Sequence, residues 1–186
     1  MELLYEVIHQ GNAFDLFWSI EDNSIDLVLT DPPYGTTNCK WDTIIDLPQF
    51  WSEVMRVLKT DNSPCVVFAD QPFTSNLIMS NPKWYRHDWI WNKTRVSGAL
   101  QARTKPMKTT EDIVVFSKKK ANYYWEEVVT RREKPRTQAS THEQFRTAEI
   151  RHTKDIYTSE FTNFPMEIQV YDAPRGARDT FKHPTE

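Results

Sequence analysis

The 186 residues, 39% apolar and 13% aromatic, suffice for one domain of ordinary size with a packed core and exclude a disordered chain. The net charge of −3 does not by itself mark a nucleic-acid binder, but it is unevenly spread. Ten Lys or Arg face five Glu between Lys118 and Lys154, leaving the rest of the chain negative by about eight.

Two cysteines, Cys39 and Cys65, give neither a disulfide framework nor a metal spacing, and the five histidines have no metal-binding companions. No signal-peptide pattern opens the chain and no apolar run approaches a membrane span, so the expectation is a cytoplasmic protein with no membrane partner and no metal.

In chain order, Tyr5–His9 reads as a short strand and Ala13–Ile20 as a helix with Phe14, Phe17 and Trp18 on one face. Asp26–Thr30 is an apolar strand stopped by Asp31-Pro32-Pro33. Leu47–Leu58 predicts an amphipathic helix, with Phe50, Trp51, Val54, Val57 and Leu58 spaced for burial and Pro48 in the tolerant first turn. Cys65–Ala69 is a buried strand and Gln71–Met79 a helix, and Trp89–Trp91 and Asp112–Phe116 supply two more strands. This alternation argues for an α/β sheet covered by helices. In open sheets of this kind ligands lie beyond the carboxyl ends of the strands, where Asp31-Pro32-Pro33-Tyr34 falls. From residue 118 to 164 the pattern weakens and an irregular, peripheral region is expected.

The turn after the Asp26–Thr30 strand has the parts for a particular chemistry. Two prolines fix their own φ angles, remove two donors and hold the preceding residue extended, while Gly35 lets the chain leave without a Cβ. Asp31 adds a carboxylate and Tyr34 a flat face. An exocyclic amine on a planar base is a poor nucleophile because its lone pair is delocalised into the ring. Accepting its two hydrogens on Asp31 and on the Pro32 carbonyl drives the nitrogen toward tetrahedral geometry, and stacking on Tyr34, worth roughly 1–3 kcal/mol, holds the base in line. Within a duplex such a base must be flipped out. The blander reading is a strand that ends in an ordinary proline turn.

Ile25–Gly35 resembles the motif of the S-adenosylmethionine-dependent DNA N6-adenine and N4-cytosine methyltransferases, in the β-group order with the catalytic loop first. Ile8–Ala13 resembles the segment before the catalytic strand, Trp41-Asp42, Trp51 and Arg56–Lys59 the next helix, and Trp89–Lys93 and Glu111–Phe116 the following strands. The resemblance implies a partial Rossmann-like methyltransferase sheet, its catalytic-loop half, with an inserted target-recognition region. It divides the chain into a catalytic α/β region (1–117), a target-recognition region (118–164) and a return segment (165–186). It gives Asp31, Pro32, Pro33 and Tyr34 the catalytic role. S-adenosyl-L-methionine is the implied cofactor, met by Asn12, Ala13 and Asp31 and by His183 and Thr185 of Lys182-His183-Pro184-Thr185-Glu186, which resembles the start of a cofactor-binding motif.

Double-stranded DNA is the implied partner, with Arg131, Arg132, Lys134 and Arg136 the cluster expected on phosphate, although surface charge accounts equally well for each one. Asp at position 31 favours adenine, since N4-cytosine members more often carry Ser there. The chain has four glycines and no Gly-x-Gly, so the glycine-rich cofactor loop of such enzymes is missing. Two readings follow: a site-specific N6-adenine (or N4-cytosine) methyltransferase of the restriction-modification kind, its site completed by a missing C-terminal segment or partner chain, or a truncated, non-catalytic DNA-binding remnant.

Overall fold

A computed structural model describes residues 8–127, 129–139, 156–162 and 168–170, so most of the strand expected at Tyr5–His9 lies outside the described residues. They group into two units, one drawn from Met1–Asn122 and Glu167–Glu186, the other from Tyr123–Met166.

In the first unit the chain forms α1 (Ala13–Phe17), β1 (Val28–Thr30), α2 (Leu47–Val57), β2 (Cys65–Ala69), α3 (Phe73–Ser80), β3 (Tyr85–Ser97) and β4 (Lys108–Phe116). The second unit contributes β5 (Thr130–Ala139) and β6 (Ile156–Thr162), and β7 (Ile168–Val170) returns to the first.

Helix α2 forms for the reasons written in its sequence. Asp46 caps it by accepting from the Gln49 N–H at 2.9 Å, Pro48 sits in the first turn, and Phe50, Trp51, Val54 and Val57 recur at helical spacing and are buried. Strand β2 alternates in the same spirit, with Cys65, Val67 and Ala69 buried toward the helices. The α2 residues Phe50, Trp51 and Val54 meet Phe73 and Leu77 of α3 and Val114 and Phe116 of β4 in one core. Trp51 sits at its centre: its ring packs on Phe116 at 4.8 Å and its Nε1 donates to Ser80 Oγ at 2.7 Å. Burial pushes the Cys65 thiol well above its ordinary range, so it is an inert core group.

The sheet is mixed, in the order β1-β2-β4-β3-β7. β1 runs parallel to β2, with Val28 opposite Cys65 and Thr30 opposite Val67. β4 is antiparallel to β2 and to β3, and β7 is parallel to β3. Antiparallel β4 therefore places its first residues at the carboxyl end of β2, with Asp112 opposite Ala69. β3 and β4 both start earlier or run longer than their apolar cores foretold, because their outer halves carry charged and polar residues.

Two expectations are corrected here. The helix expected at Ala13–Ile20 stops at Phe17, and Trp18 is 75% exposed while Phe14 and Phe17 are half-buried. The cause is Arg56 of α2, whose guanidinium donates to the Phe17 and Ile20 carbonyls at 2.7 and 2.8 Å. The Phe17 carbonyl also accepts from the Ile20 N–H at 3.0 Å, so the chain leaves the helix in tighter turns that the guanidinium holds. The region expected to be irregular holds β5 and β6, an antiparallel ribbon with Arg131 opposite Phe161 and Ala139 opposite Ile156.

Arg56 also donates to Asp22 Oδ1 at 2.6 Å and to Glu53 Oε2 at 2.8 Å, so a single side chain fastens residues 17–22 to α2. Arg56→Ala is expected to cost about 1–3 kcal/mol in denaturant-monitored unfolding and to speed amide exchange of residues 16–25 relative to α2.

Candidate active site

Pairing of β1 with β2 delivers Asp31 to the carboxyl end of the sheet, as the sequence led one to expect. Pro32 behind it is buried and Pro33 half-buried, so the stiff part of the turn is packed while the Asp31 side chain faces out. The Tyr34 hydroxyl donates to Asp31 Oδ1 at 2.5 Å. Its ring stacks on the fully buried Phe73 with centroids 5.6 Å apart and planes 24° from parallel. One face of the tyrosine plate is thus spent on the core.

Tyr34 is held in its neutral form. Burial comes first, then the hydrogen bond to Asp31 and the negative charges of Asp31, Glu111 and Asp112, and together they push its phenol far above the ordinary range. The two carboxylates from β4 belong to a chain of paired polar groups at this end of the sheet. Thr74 of α3 donates to Asp112 at 2.7 Å, Lys93 pairs with Glu111 at 2.5 Å, and Lys108 pairs with Asp70, the residue after β2. None of Asp70, Phe73, Thr74, Lys93, Lys108, Glu111 or Asp112 was singled out as a site residue from the sequence. Phe73 and Thr74 come from α3, Lys93 from β3, Lys108, Glu111 and Asp112 from β4 and Asp70 from the turn after β2, and the pairings of β2 with β1 and β4 and of β4 with β3 bring them to one end of the sheet.

Behind Tyr34 the chain makes a tight loop around one carboxylate. Gly35 has φ +68°, and a Cβ built there would stand 2.7 Å from Ile44 Cγ1. The N–H groups of Gly35, Thr36 and Thr37 all donate to Asp42, at 2.8, 2.9 and 2.6 Å. Three consecutive donors converging after a left-handed glycine form an anion nest, here filled by the protein's own side chain. These bonds, Thr37's side chain foremost, then the N–H groups of Gly35, Thr37 and Thr36, hold the buried Asp42 carboxyl down at about 2. Resemblance had placed Trp41-Asp42 with the next helix; both residues lie in the loop ahead of α2, which begins at Leu47.

The other expected site residues are distributed differently. Asn12 and Ala13 open α1, where the Asn12 side chain accepts from the Phe14 N–H at 2.9 Å as the helix cap. His183 and Thr185 lie outside the described residues. Arg131, Arg132, Lys134 and Arg136 fall on β5 in the second unit. Arg131 and Lys134 are exposed, with Glu160 3.9 Å from Arg131. Arg132 is half-buried and donates from Nε to the Phe161 carbonyl at 3.1 Å, so it helps to hold the ribbon. Among the described residues no group of three or more His, Cys, Asp or Glu could hold a metal ion, and no helix is long and apolar enough to cross a membrane.

Comparison with known proteins bears on this arrangement. A family model described as DNA methylase matches residues 25–186. Type II methyltransferase M1.MboII of Moraxella bovis is 26% identical over 125 residues, which are 62% of this chain and 47% of that protein. Type II methyltransferase M.HpaI of Haemophilus parainfluenzae is 29% identical over 121 residues, 58% of this chain and 37% of that protein. The chain therefore spans about half, or less, of the length of these relatives. Among solved structures, the M1.HpyAVI–SAM complex aligns with TM-score 0.46 and 16% identity over 74% of this chain and 62% of that one. PvuII DNA methyltransferase (cytosine-N4-specific) aligns with TM-score 0.45 and 17% identity over 60% and 48%.

The chain belongs to the DNA methylase family, the N6/N4 amino-methyltransferases. Its described residues fit the acceptor side of that chemistry, with an outward carboxylate on a stiff proline turn beside an aromatic plate. They do not provide a glycine-rich cradle for the methionine part of the donor, since Gly11, Gly35, Gly98 and Gly176 are the glycines of the 186 residues and no two form Gly-x-Gly.

Two predictions concern the loop. Gly35→Ala is expected to lose about 1–2 kcal/mol in chemical unfolding, from the left-handed backbone. Ile44 is partly exposed and can swing aside, so adding Ile44→Ala is expected to recover little of that loss. The second concerns pH. A depressed carboxyl stabilises the folded loop fully above its unfolded value near 3.8, and the contribution fades as pH falls toward about 2. In carboxyl-carbon NMR, Asp42 is expected to titrate near 2, with amide protection at residues 35–37 lost over the same interval.

Proposed function

We propose that these residues form the catalytic-loop part of a site-specific DNA methyltransferase that modifies adenine N6 on a base flipped out of double-stranded DNA in the cytoplasm. The observation that carries this is the Tyr34 hydroxyl on Asp31 Oδ1, with the Tyr34 ring backed by Phe73. That bond fixes the direction of the Asp31 carboxylate and leaves Oδ2 to accept one hydrogen of the incoming amine. The Pro32 carbonyl accepts the other, with no proline N–H to compete. Held so, the nitrogen lone pair leaves the plane of the ring. S-adenosylmethionine, when bound, supplies the electrophilic methyl group. Asn12 and Ala13 at the start of α1 meet its adenine, and His183 and Thr185 add to its site. The glycine-rich cradle belongs to polypeptide outside these 186 residues, in a further segment or a partner chain.

Residues 118–164 serve in this reading as the target-recognition region. A two-stranded antiparallel ribbon is an element that a DNA major groove admits, and Arg131, Lys134 and Arg136 on β5 meet phosphates. Arg132 supports the ribbon from within. Asp31 in the first position of the motif favours adenine over cytosine. A second reading, favoured by the missing Gly-x-Gly, is a chain that keeps the fold and DNA affinity without turning over alone.

The test is methyl transfer from labelled S-adenosylmethionine to unmethylated DNA, with nucleosides resolved. Label is expected as N6-methyladenine, and Asp31→Ala is expected to lower the rate by about 10²–10³-fold with DNA affinity within about twofold. Label as N4-methylcytosine would overturn the choice of base. A folded chain that binds DNA and transfers nothing would establish the second reading. Loss of DNA binding in folded Asp31→Ala would count against the role given to the turn.

A further inference from the structure

We propose that Asp42 is a positioning residue for the catalytic turn, an internal anion whose three hydrogen bonds to Gly35, Thr36 and Thr37 set the direction of Tyr34 and, through it, of Asp31. The inference rests on the reading of Asp31–Tyr34 as the catalytic turn, and it adds a residue that this reading does not use.

The argument follows the backbone. On the upstream side, Pro32 and Pro33 have fixed φ angles, so the chain enters Tyr34 from a rigid direction. On the downstream side, the Gly35 N–H belongs to the peptide plane between Tyr34 and Gly35. Its 2.8 Å bond to Asp42 Oδ1 orients that plane and with it the ψ angle of Tyr34. The next two peptide planes are tied to Asp42 Oδ2. Gly35 at φ +68° is what lets three successive N–H groups converge. Tyr34 is thus gripped on both sides, and its side chain has two definite contacts, the Phe73 ring and Asp31 Oδ1.

Asp42 is itself held: it is buried, and its own N–H donates to the Cys39 carbonyl at 3.0 Å. Among the described residues no Lys or Arg pairs with it, so the anion is satisfied by the loop's N–H groups. Thr36 and Thr37 are exposed, and without Asp42 their amides would turn to water. Other bonds of the loop, Cys39 N–H to Thr37 Oγ1 at 3.3 Å and Asp42 N–H to the Cys39 carbonyl, are local, and it is Asp42 that takes the Gly35, Thr36 and Thr37 amides.

The clamp can be read without turnover. In the wild-type chain, amide exchange by NMR is expected to be at least about tenfold slower at Gly35, Thr36 and Thr37 than at neighbouring Asn38 and Lys40. The second readout is the Tyr34 phenol, followed by ring-carbon NMR of labelled tyrosine and assigned with Tyr34→Phe. It is expected to stay protonated to about pH 11 in the wild type and to titrate near the ordinary value of about 10 in Asp42→Asn. A merely structural aspartate would lower the unfolding midpoint and leave that titration alone. The proposal is overturned if Tyr34 in folded Asp42→Asn still fails to titrate below pH 11, or if the three wild-type amides exchange as fast as Asn38. Should Asp42→Asn not fold, the wild-type exchange decides. Protected amides and a released Tyr34 in a chain that transfers no methyl group would keep the clamp and sink the catalytic reading, so the two fail separately.

Discussion

The site depends on a three-residue ladder. Val28–Thr30 is a short strand, and what fixes its position is the parallel register with Cys65–Val67. Hydrogen bonds just outside the ladder reinforce it. Ile25 N–H donates to the Val57 carbonyl at 2.9 Å, Lys59 N–H to the Ile25 carbonyl at 2.8 Å, and Val28 N–H to the Pro64 carbonyl at 3.1 Å. A slip of one residue would exchange the faces of the strand and carry Asp31 off the end of the sheet. The buried core under α2 and β2 therefore specifies the position of Asp31 indirectly, through the register in which β1 lies on β2.

Electrostatics at that end of the sheet follow from the same topology. β4 runs back along β2, so Glu111 and Asp112 arrive beside Asp70 and within range of Tyr34. Four carboxylates so gathered would repel one another if left alone. Lys108 on Asp70, Lys93 on Glu111 and the Thr74 hydroxyl on Asp112 compensate three of them. Asp31 has a different partner, a phenol kept protonated by its surroundings. A neutral donor orients the carboxylate without supplying a counter-charge.

Much of this was legible in the sequence, and the reasons separate cleanly. α2 could be read because its cap, its first-turn proline and its apolar spacing agree, and all five residues singled out for burial are buried. The Asp-Pro-Pro-Tyr turn could be read because its stiffness is local. α1 could not, since what ends it is a guanidinium from 39 residues away in sequence. β5 and β6 escaped because Arg, Glu and Lys crowd β5 and Thr, Ser and Glu interrupt the apolar residues of β6, so no clean apolar alternation marks either in the sequence. Asp42 is the instructive omission. Its sequence signal, an aspartate seven residues after a glycine that follows two prolines and a tyrosine, has meaning only once the loop is seen to close on it.

The division of charge along the chain then takes on a specific sense. In the proposed reading the reacting part of the substrate is a neutral base, and an acidic pocket suits it because the amine must give up its hydrogens to acceptors. The same substrate is a polyanion, which that pocket would repel. Cations for the phosphates must therefore be mounted elsewhere, and the lysines of the sheet end are unsuited, since Lys93 and Lys108 are each committed to a carboxylate. The ribbon of the second unit carries one such exposed, weakly engaged cation: Arg131 has a carboxylate only at 3.9 Å, with both partners largely in solvent. An ion pair of that kind contributes about 0–1 kcal/mol and is readily exchanged for a phosphate. Arg132, spent on the Phe161 carbonyl, is not so available. Replacing Arg131 should thus weaken DNA binding and flatten its salt dependence, whereas replacing Arg132 should first loosen the ribbon itself.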